Sequence, residues 1–231
     1  MIAMLAMKGW HETRWRLVGP VFFSILIIAV NYRARLDLRT GREVLVLLWM
    51  VLSTFAILLA GSGVKAQAPT HISFPEGLAE STQFTISLPV SRVRLLAVRA
   101  GVGLLEAVAI AVIAGCAVWI LFPAISGSVA SADFVRLVVS TILWLPLPYC
   151  AALLCQSFLA EPWSMFPVGY GLVLILWLCH KVSPAVDVIR AFGQASPLVT
   201  HRLPIYQLAT ADFLAMGLFV LAAWAVRRHE Y

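Results

Sequence analysis

Charge is what this chain has least of. Asp and Glu number 11 and Lys and Arg 17, so charged residues make up 12% of 231 positions, about half the share that clothes an ordinary water-facing domain. That scarcity excludes a soluble enzyme, and with 61% apolar residues it excludes intrinsic disorder as well. Cysteine is sparse too. Cys116, Cys150, Cys155 and Cys179 lie inside apolar runs with no Cys-x-x-Cys pair, which rules out a disulfide-stapled secreted fold and reads as small apolar side chains. The five histidines, His11, His71, His180, His201 and His229, form no His-Glu-x-x-His helix and have no second histidine at metal-ligand spacing. Neither a Gly-x-Ser-x-Gly elbow nor a Gly-x-x-x-x-Gly-Lys-Ser/Thr loop occurs, so the chain has no P-loop of its own for ATP.

What is present is length and apolarity together: mean hydropathy is +0.92 over 25.3 kDa. The fold class that follows is all-α, a single polytopic transmembrane domain over residues 1–231. A helix needs about 20 mainly apolar residues to cross a core roughly 30 Å thick. Six segments answer to that, at about 17–32, 44–64, 100–122, 134–155, 165–180 and 208–226. The first has a basic lead (Lys8, Arg14, Arg16) but no small-x-small cleavage pattern after Val30, and is read as retained rather than as a signal peptide. Spans one and five are short and begin near Pro20 and Pro167.

Six spans put both termini on one side. If that side is inside, the inner segments carry nine Lys and Arg and the outer ones eight, so the positive-inside rule decides almost nothing. The early basic lead and Arg227-Arg228 after the last span lean towards cytoplasmic termini. The net charge of +6 is split between both faces, against a nucleic-acid patch.

The connections carry more information. Residues 1–16 place Ala3, Ala6, Met7, Trp10, Thr13 and Leu17 at helical spacing with charges elsewhere around the helix, which reads as an interfacial helix or as an extension of span one. In the segment 65–99, a short helix from about Glu76 to Ser87 is ended by Leu88-Pro89, and Ser91 is a suitable N-cap for a new one. Unbroken to Phe122, that new helix would be about 46 Å long and project two to three turns from the membrane, carrying Arg92, Arg94 and Arg99 into the head-group zone of an anionic leaflet. In the segment 181–207, Ser183-Pro184 with Asp187 gives an N-cap, an N1 proline and a first-turn acid, with Gly193 as the stop; Ser196-Pro197 repeats the start. Two short helices follow, re-entrant into the outer leaflet against the bundle or resting on its surface.

Within the spans, Glu106 is the one carboxylate well inside, about 9 Å along its helix from Ala100. It is a possible intramembrane polar site, with a structural hydrogen bond, a substrate or proton pathway, and snorkelling as the competing roles. Asp133 and Asp212 near the starts of their spans suit the helix dipole. Pro146 and Pro148 should kink span four, and Gly169 and Gly171 allow close helix approach in span five.

The core Phe84-Thr-Ile-Ser-Leu-Pro-Val-Ser-Arg92 entering a basic helix start, the surface helix before span one and the helical pair before span six together resemble the membrane subunit of an ABC exporter of the ABC-2 permease family. The resemblance covers the whole chain as topology and about 16 positions as residues. It implies a coupling segment at 65–99 that seats on a separate ATPase subunit, with Glu76, Glu80, Phe84, Leu88, Pro89, Arg92 and Arg94 as the contact. It also implies cytoplasmic termini in a bacterial inner membrane, a second permease copy or a paralogue completing the pathway, and no cofactor on this chain, ATP being bound by the partner. The external connection is too small for a large extracellular domain. A haem-exporter-like subunit of cytochrome c maturation has a similar size, and an intramembrane enzyme using Glu106 or His180 is the reading from another class.

Overall fold

The computed structural model describes Phe22, Leu26 and residues 91–121, 126–127, 129–158, 165–192 and 194–228. Among these there are helices and turns and no strands. The interfacial helix at 1–16, spans one and two, and the helix at 76–87 lie outside the described residues.

The first long helix, α1, runs from Arg92 to Leu121 without a break, 30 residues or about 45 Å. Ser91 starts it as an N-cap should: its Oγ accepts from the backbone N–H of Arg94 at 3.4 Å. Its buried positions, Leu96, Ala100, Gly103, Glu106, Ala107, Ile110, Ala111, Ala114, Gly115 and Val118, recur at helical spacings of three and four and draw one stripe along the helix. Arg94, Ala97, Gly101, Leu105 and Ile120 face away and are exposed.

Span four is two helices end to end, α2 from Ser131 to Trp144 and α3 from Pro146 to Phe158. The junction is Leu145, as two nearby prolines demand: neither Pro146 nor Pro148 has an N–H for the ladder. The Leu145 N–H still donates to Thr141 O at 3.1 Å, and the Tyr149 N–H to Leu145 O at 3.2 Å, so the chain stays helical through the junction. One turn earlier, Ser140 Oγ and Thr141 Oγ1 donate back to the carbonyls of Arg136 and Leu137 at 2.8 and 2.9 Å, a habit that itself bends helices. Past the junction every residue from Leu147 to Leu153 is buried, as expected of a helix at the centre of a bundle.

Helix α4 covers Met165–Val182; a 3-10 turn covers Val188–Phe192; α5 is the single turn Pro197–Thr200; α6 runs from Ile205 to Arg228. The most extensive helix–helix packing is α6 on α3, with α4 also against α3 and α1 against α2. On α6 the buried positions are Leu208, Ala211, Ala215, Ala222 and Ala225, with Leu218 partly buried between them. This too is a three-four stripe, made mostly of alanine, which lets two backbones come close where no water drives association.

Among the described residues three stretches are long and apolar enough to cross a membrane: Leu96–Ile120, Ser131–Cys155 and Ile205–Arg228. The chain is therefore a helical membrane protein. These spans start some three or four residues earlier than the hydropathy of the sequence placed them. The α4 helix forms where span five was expected, with 18 residues, but it is not one of the three.

Gly171, expected to permit close approach, does not do so, and the surroundings of Gly169 lie outside what the structure describes. Nothing lies within 4 Å of where a Cβ on Gly171 would sit. The close approaches are on α1. A Cβ on Gly103 would meet the hydroxyl end of Tyr149 and lie 2.9 Å from its Cζ, and one on Gly115 would lie 3.0 Å from Val138 Cγ2. Gly103 thus joins α1 to α3, and Gly115 joins α1 to α2.

Candidate functional site

Four helix termini meet at one end of the bundle. The end of α1 meets the start of α2 through Trp119 and Phe134, ring centroids 4.7 Å apart. The end of α4 meets the start of α6 through Gln207 Nε2, which donates to the Pro184 carbonyl at 3.0 Å. The two pairs of termini are joined by a hydrogen bond across 68 positions of sequence, His201 to Asp133. The end of α1, the start of α2 and the turns between α4 and α6 therefore share one end, as an antiparallel order of the last four predicted spans requires.

Two buried carboxylates organise this end. Asp133 sits in the first turn of α2 with its side chain 7% exposed. Arg136 Nη1, one turn on, donates to its Oδ1 at 2.6 Å, and His201 Nδ1 donates to its Oδ2 at 2.5 Å. An ionised carboxylate only accepts, so the proton on this bond belongs to the imidazole. The His201 ring is otherwise 72% exposed. His201 is also the one non-glycine residue with positive φ among those described, at 53°, a left-handed conformation that costs a side-chain-bearing residue roughly 1–2 kcal/mol. The turn is over-determined: Ser196 caps α5 by accepting from the Leu198 N–H at 3.4 Å, and the His201 N–H donates to Pro197 O at 3.0 Å, closing the helix on a left-handed residue.

The second carboxylate, Asp187, has its side chain 7% exposed, and its Oδ2 accepts from His180 Nδ1, at the last turn of α4, at 2.7 Å. Its Oδ1 accepts from the Arg190 backbone N–H at 3.3 Å. The expectation of a helix starting at Ser183-Pro184 with Asp187 in its first turn is corrected here. Val186 and Asp187 donate to Ser183 O at 3.0 Å in a closed turn, and the 3-10 stretch starts only after Asp187, which caps it. The physical reason is the bond to His180: it fixes Asp187 against α4, where a helix begun at Pro184 would carry it away. The second start signal, Ser196-Pro197, acts as expected, but its helix is one turn long.

Glu106 is 2% exposed, inside the bundle one turn from Gly103 and on the buried stripe of α1. It does not snorkel, and its carboxyl is not left without an interaction partner. It lies far along α1 from the clasped end, so it does not converge with His180. Of the residues expected to contact an ATPase, Arg92 opens α1 and Arg94 is exposed on its first turn; Glu76, Glu80, Phe84, Leu88 and Pro89 lie outside the described residues. All four cysteines are free, with Cys150 and Cys179 buried and Cys116 exposed. Among the described residues no three metal-ligating side chains gather.

From the sequence alone Asp133 and Asp187 are acids of helix first turns, and His201 has no role. The pattern Asp133-x-x-Arg136 held part of the missing signal, since it sets an acid and a base one helical turn apart. Nothing local announces His201. No known protein family, no curated protein and no solved structure matches this chain.

Proposed function

We propose that the chain is the permease subunit of an ATP-driven exporter of the ABC-2 type. In this reading it frames a substrate pathway with a second copy or a paralogue in a bacterial inner membrane, its termini are cytoplasmic, and it takes its energy from a separate ATPase subunit. It carries no cofactor and no enzymatic activity itself, and it has no nucleic-acid partner. The observation that supports this most is the unbroken course of α1 from the basic turn at Arg92 and Arg94 to Leu121. A segment gripped by an ATPase at 65–91 would be joined rigidly to the span that packs on α2 and α6, so movement at one end becomes tilt at the other. Three apolar helices of 24 or 25 residues suit the membrane half of such a machine.

A haem-exporter-like subunit would share this rod, but the Phe84 to Arg99 pattern fits the general exporter better. An intramembrane enzyme would need polar groups converging at one depth. His180 is held at the clasped end by Asp187 and Glu106 is packed within the bundle, which favours the transport reading.

The test is co-purification. Pulled down in a mild detergent, the subunit is expected to bring an ATPase with it, and Phe84→Asp with Leu88→Asp should abolish that association while leaving membrane insertion intact. Absence of any ATPase under gentle conditions refutes the permease reading; association unchanged in the double variant refutes the placement of the coupling segment.

A further inference from the structure

At the clasped end the two signs of charge are treated differently. Both carboxylates there, Asp133 and Asp187, are buried and held by nearby donors, while Lys181 and Arg202 are exposed and Arg190 is half-buried. The Arg190 guanidinium is held outward, donating through Nη2 to Gln194 Oε1 at 2.8 Å. Lys181 stands over the ring of Trp177, its Nζ 5.8 Å from the centroid, and Trp177 is half exposed on α4. Exposed aliphatic and aromatic side chains are interleaved with these cations: Val182, Leu203 and Tyr206 flank Lys181 and Arg202. Cations alternating with exposed apolar groups, beside a tryptophan, are the chemistry of a surface lying in a lipid head-group layer.

The depth agrees. On α6 the exposed apolar face runs from Ile205 to Trp224, where Arg228 caps the ring at 3.8 Å. Nineteen steps of 1.5 Å make about 28 Å, the thickness of a hydrocarbon core. With Trp224 and Arg228 marking one boundary, Ile205 marks the other, and the connection ahead of it sits at phosphate level rather than inside the leaflet.

We propose that the surface formed by 181–192 and 198–206 is a docking site for anionic phospholipid, its phosphates held by Lys181, Arg190 and Arg202 and its acyl chains against Val182, Leu203 and Tyr206. The inference rests on the chain lying in a bilayer and is independent of the exporter reading. Each cation near a charged membrane surface strengthens association about fivefold, so three together amount to on the order of a hundredfold.

The experiment is backbone hydrogen exchange on the full chain in nanodiscs of phosphatidylcholine, with and without phosphatidylglycerol. Phosphatidylglycerol should raise protection of the amides at 185–191 and 198–203 by on the order of a hundredfold and leave α3 unchanged; the gain should shrink in high salt, because exposed charges are screened. Lys181→Gln, Arg190→Gln and Arg202→Gln combined should remove it, and each alone should lower it about fivefold. The charge-keeping Lys181→Arg, Arg190→Lys and Arg202→Lys should retain it, as should Arg227→Gln with Arg228→Gln at the other end. No gain with phosphatidylglycerol, or a gain that survives the triple Gln variant, overturns the proposal. So does an equal gain from inorganic phosphate in pure phosphatidylcholine discs, which would mark a site for free anions.

Discussion

Two glycines on α1, two residues apart in sequence, should respond to the same substitution with opposite sign. Gly101 is exposed with nothing within 4 Å of a would-be Cβ, while Gly103 is buried with the Tyr149 ring against it. Alanine is favoured over glycine in a helix by up to about 1 kcal/mol, so Gly101→Ala should stabilise by that much. At Gly103 the same gain is opposed. The added carbon would sit 2.9 and 3.0 Å from Tyr149 Cζ and Cε2 and closer still to the hydroxyl, and Tyr149 is 3% exposed, so the ring has no free volume to swing into. Overpacking of this kind costs about 1–3 kcal/mol; with two ring carbons and the hydroxyl involved the upper half applies, leaving a net loss of about 1–2 kcal/mol after the propensity gain. The two variants should therefore differ by roughly 2–3 kcal/mol. At 2–4 °C per kcal/mol for a chain of this size, their midpoints should lie roughly 4–12 °C apart. Heat unfolding in detergent, followed by tryptophan fluorescence, measures this. Adding Tyr149→Phe removes the nearest atom, so Gly103→Ala should cost about 1 kcal/mol less in that background, a coupling that a double-mutant cycle reads directly. If Gly103→Ala proves as stable as Gly101→Ala, the α1–α3 contact is not as described and the reasoning fails.

Further outcomes follow from the same packing and the same clasps. Asp133→Leu strands Arg136 and His201; with Arg136 40% and His201 72% exposed, solvent takes up much of the loss, so a modestly lower midpoint is expected, with Asp133→Asn milder. Limited proteolysis should show cleavage within 198–203 rising before any global unfolding; cleavage unchanged would deny the clasp its role. Ala222→Leu, in the fully buried stripe on α6, should cost about 1–3 kcal/mol, whereas Val220→Leu on the exposed face should stay within about 0.5 kcal/mol of the parent, and equal midpoints would contradict the α6–α3 packing. Ala97→Pro, exposed on the second turn of α1, removes a ladder bond and breaks the rod at a cost of about 3 kcal/mol. It should leave ATPase association intact but silence any ATP-dependent change in a probe on the exposed Cys116, and a probe response that persists would show that α1 is not the transmitting element.

What the sequence made legible was what repeats or punctuates locally. The helix start at Ser91, the unbroken rod beyond it, the junction just ahead of Pro146 and Pro148, and the cap at Ser196-Pro197 each rest on contacts within four residues, and each stands in the structure close to where it was expected. The positions of the three long spans were legible for the same reason, since apolar runs are a local property. The helix from Pro184 failed because a bond to His180 outweighed a good local start. Likewise Gly171, an obvious candidate for close packing, faces open space, because which face of a helix meets a neighbour depends on where the neighbour lies.

The carboxylates sharpen that distinction. In an apolar chain an acid at the start of a span reads as a complement to the helix dipole, worth at most about 1 kcal/mol when exposed. Buried, the same group costs several kcal/mol unless hydrogen-bonded, and that desolvation penalty decides the structure around it. Asp133 takes one donor from its own helix, Arg136, which is visible as a spacing, and a second from His201, which is not; the second is reached only by holding His201 in a left-handed conformation. A buried acid in such a chain therefore predicts that a second donor exists without saying where. The strained residue is the counterpart of that demand: an unfavourable φ of roughly 1–2 kcal/mol persists because it delivers an imidazole to a carboxylate whose desolvation outweighs the strain. By this reasoning His201→Gly, which relieves the backbone but removes the donor, should destabilise the 198–203 turn rather than stabilise it, and a more stable turn in that variant would show that the backbone, not Asp133, sets its shape.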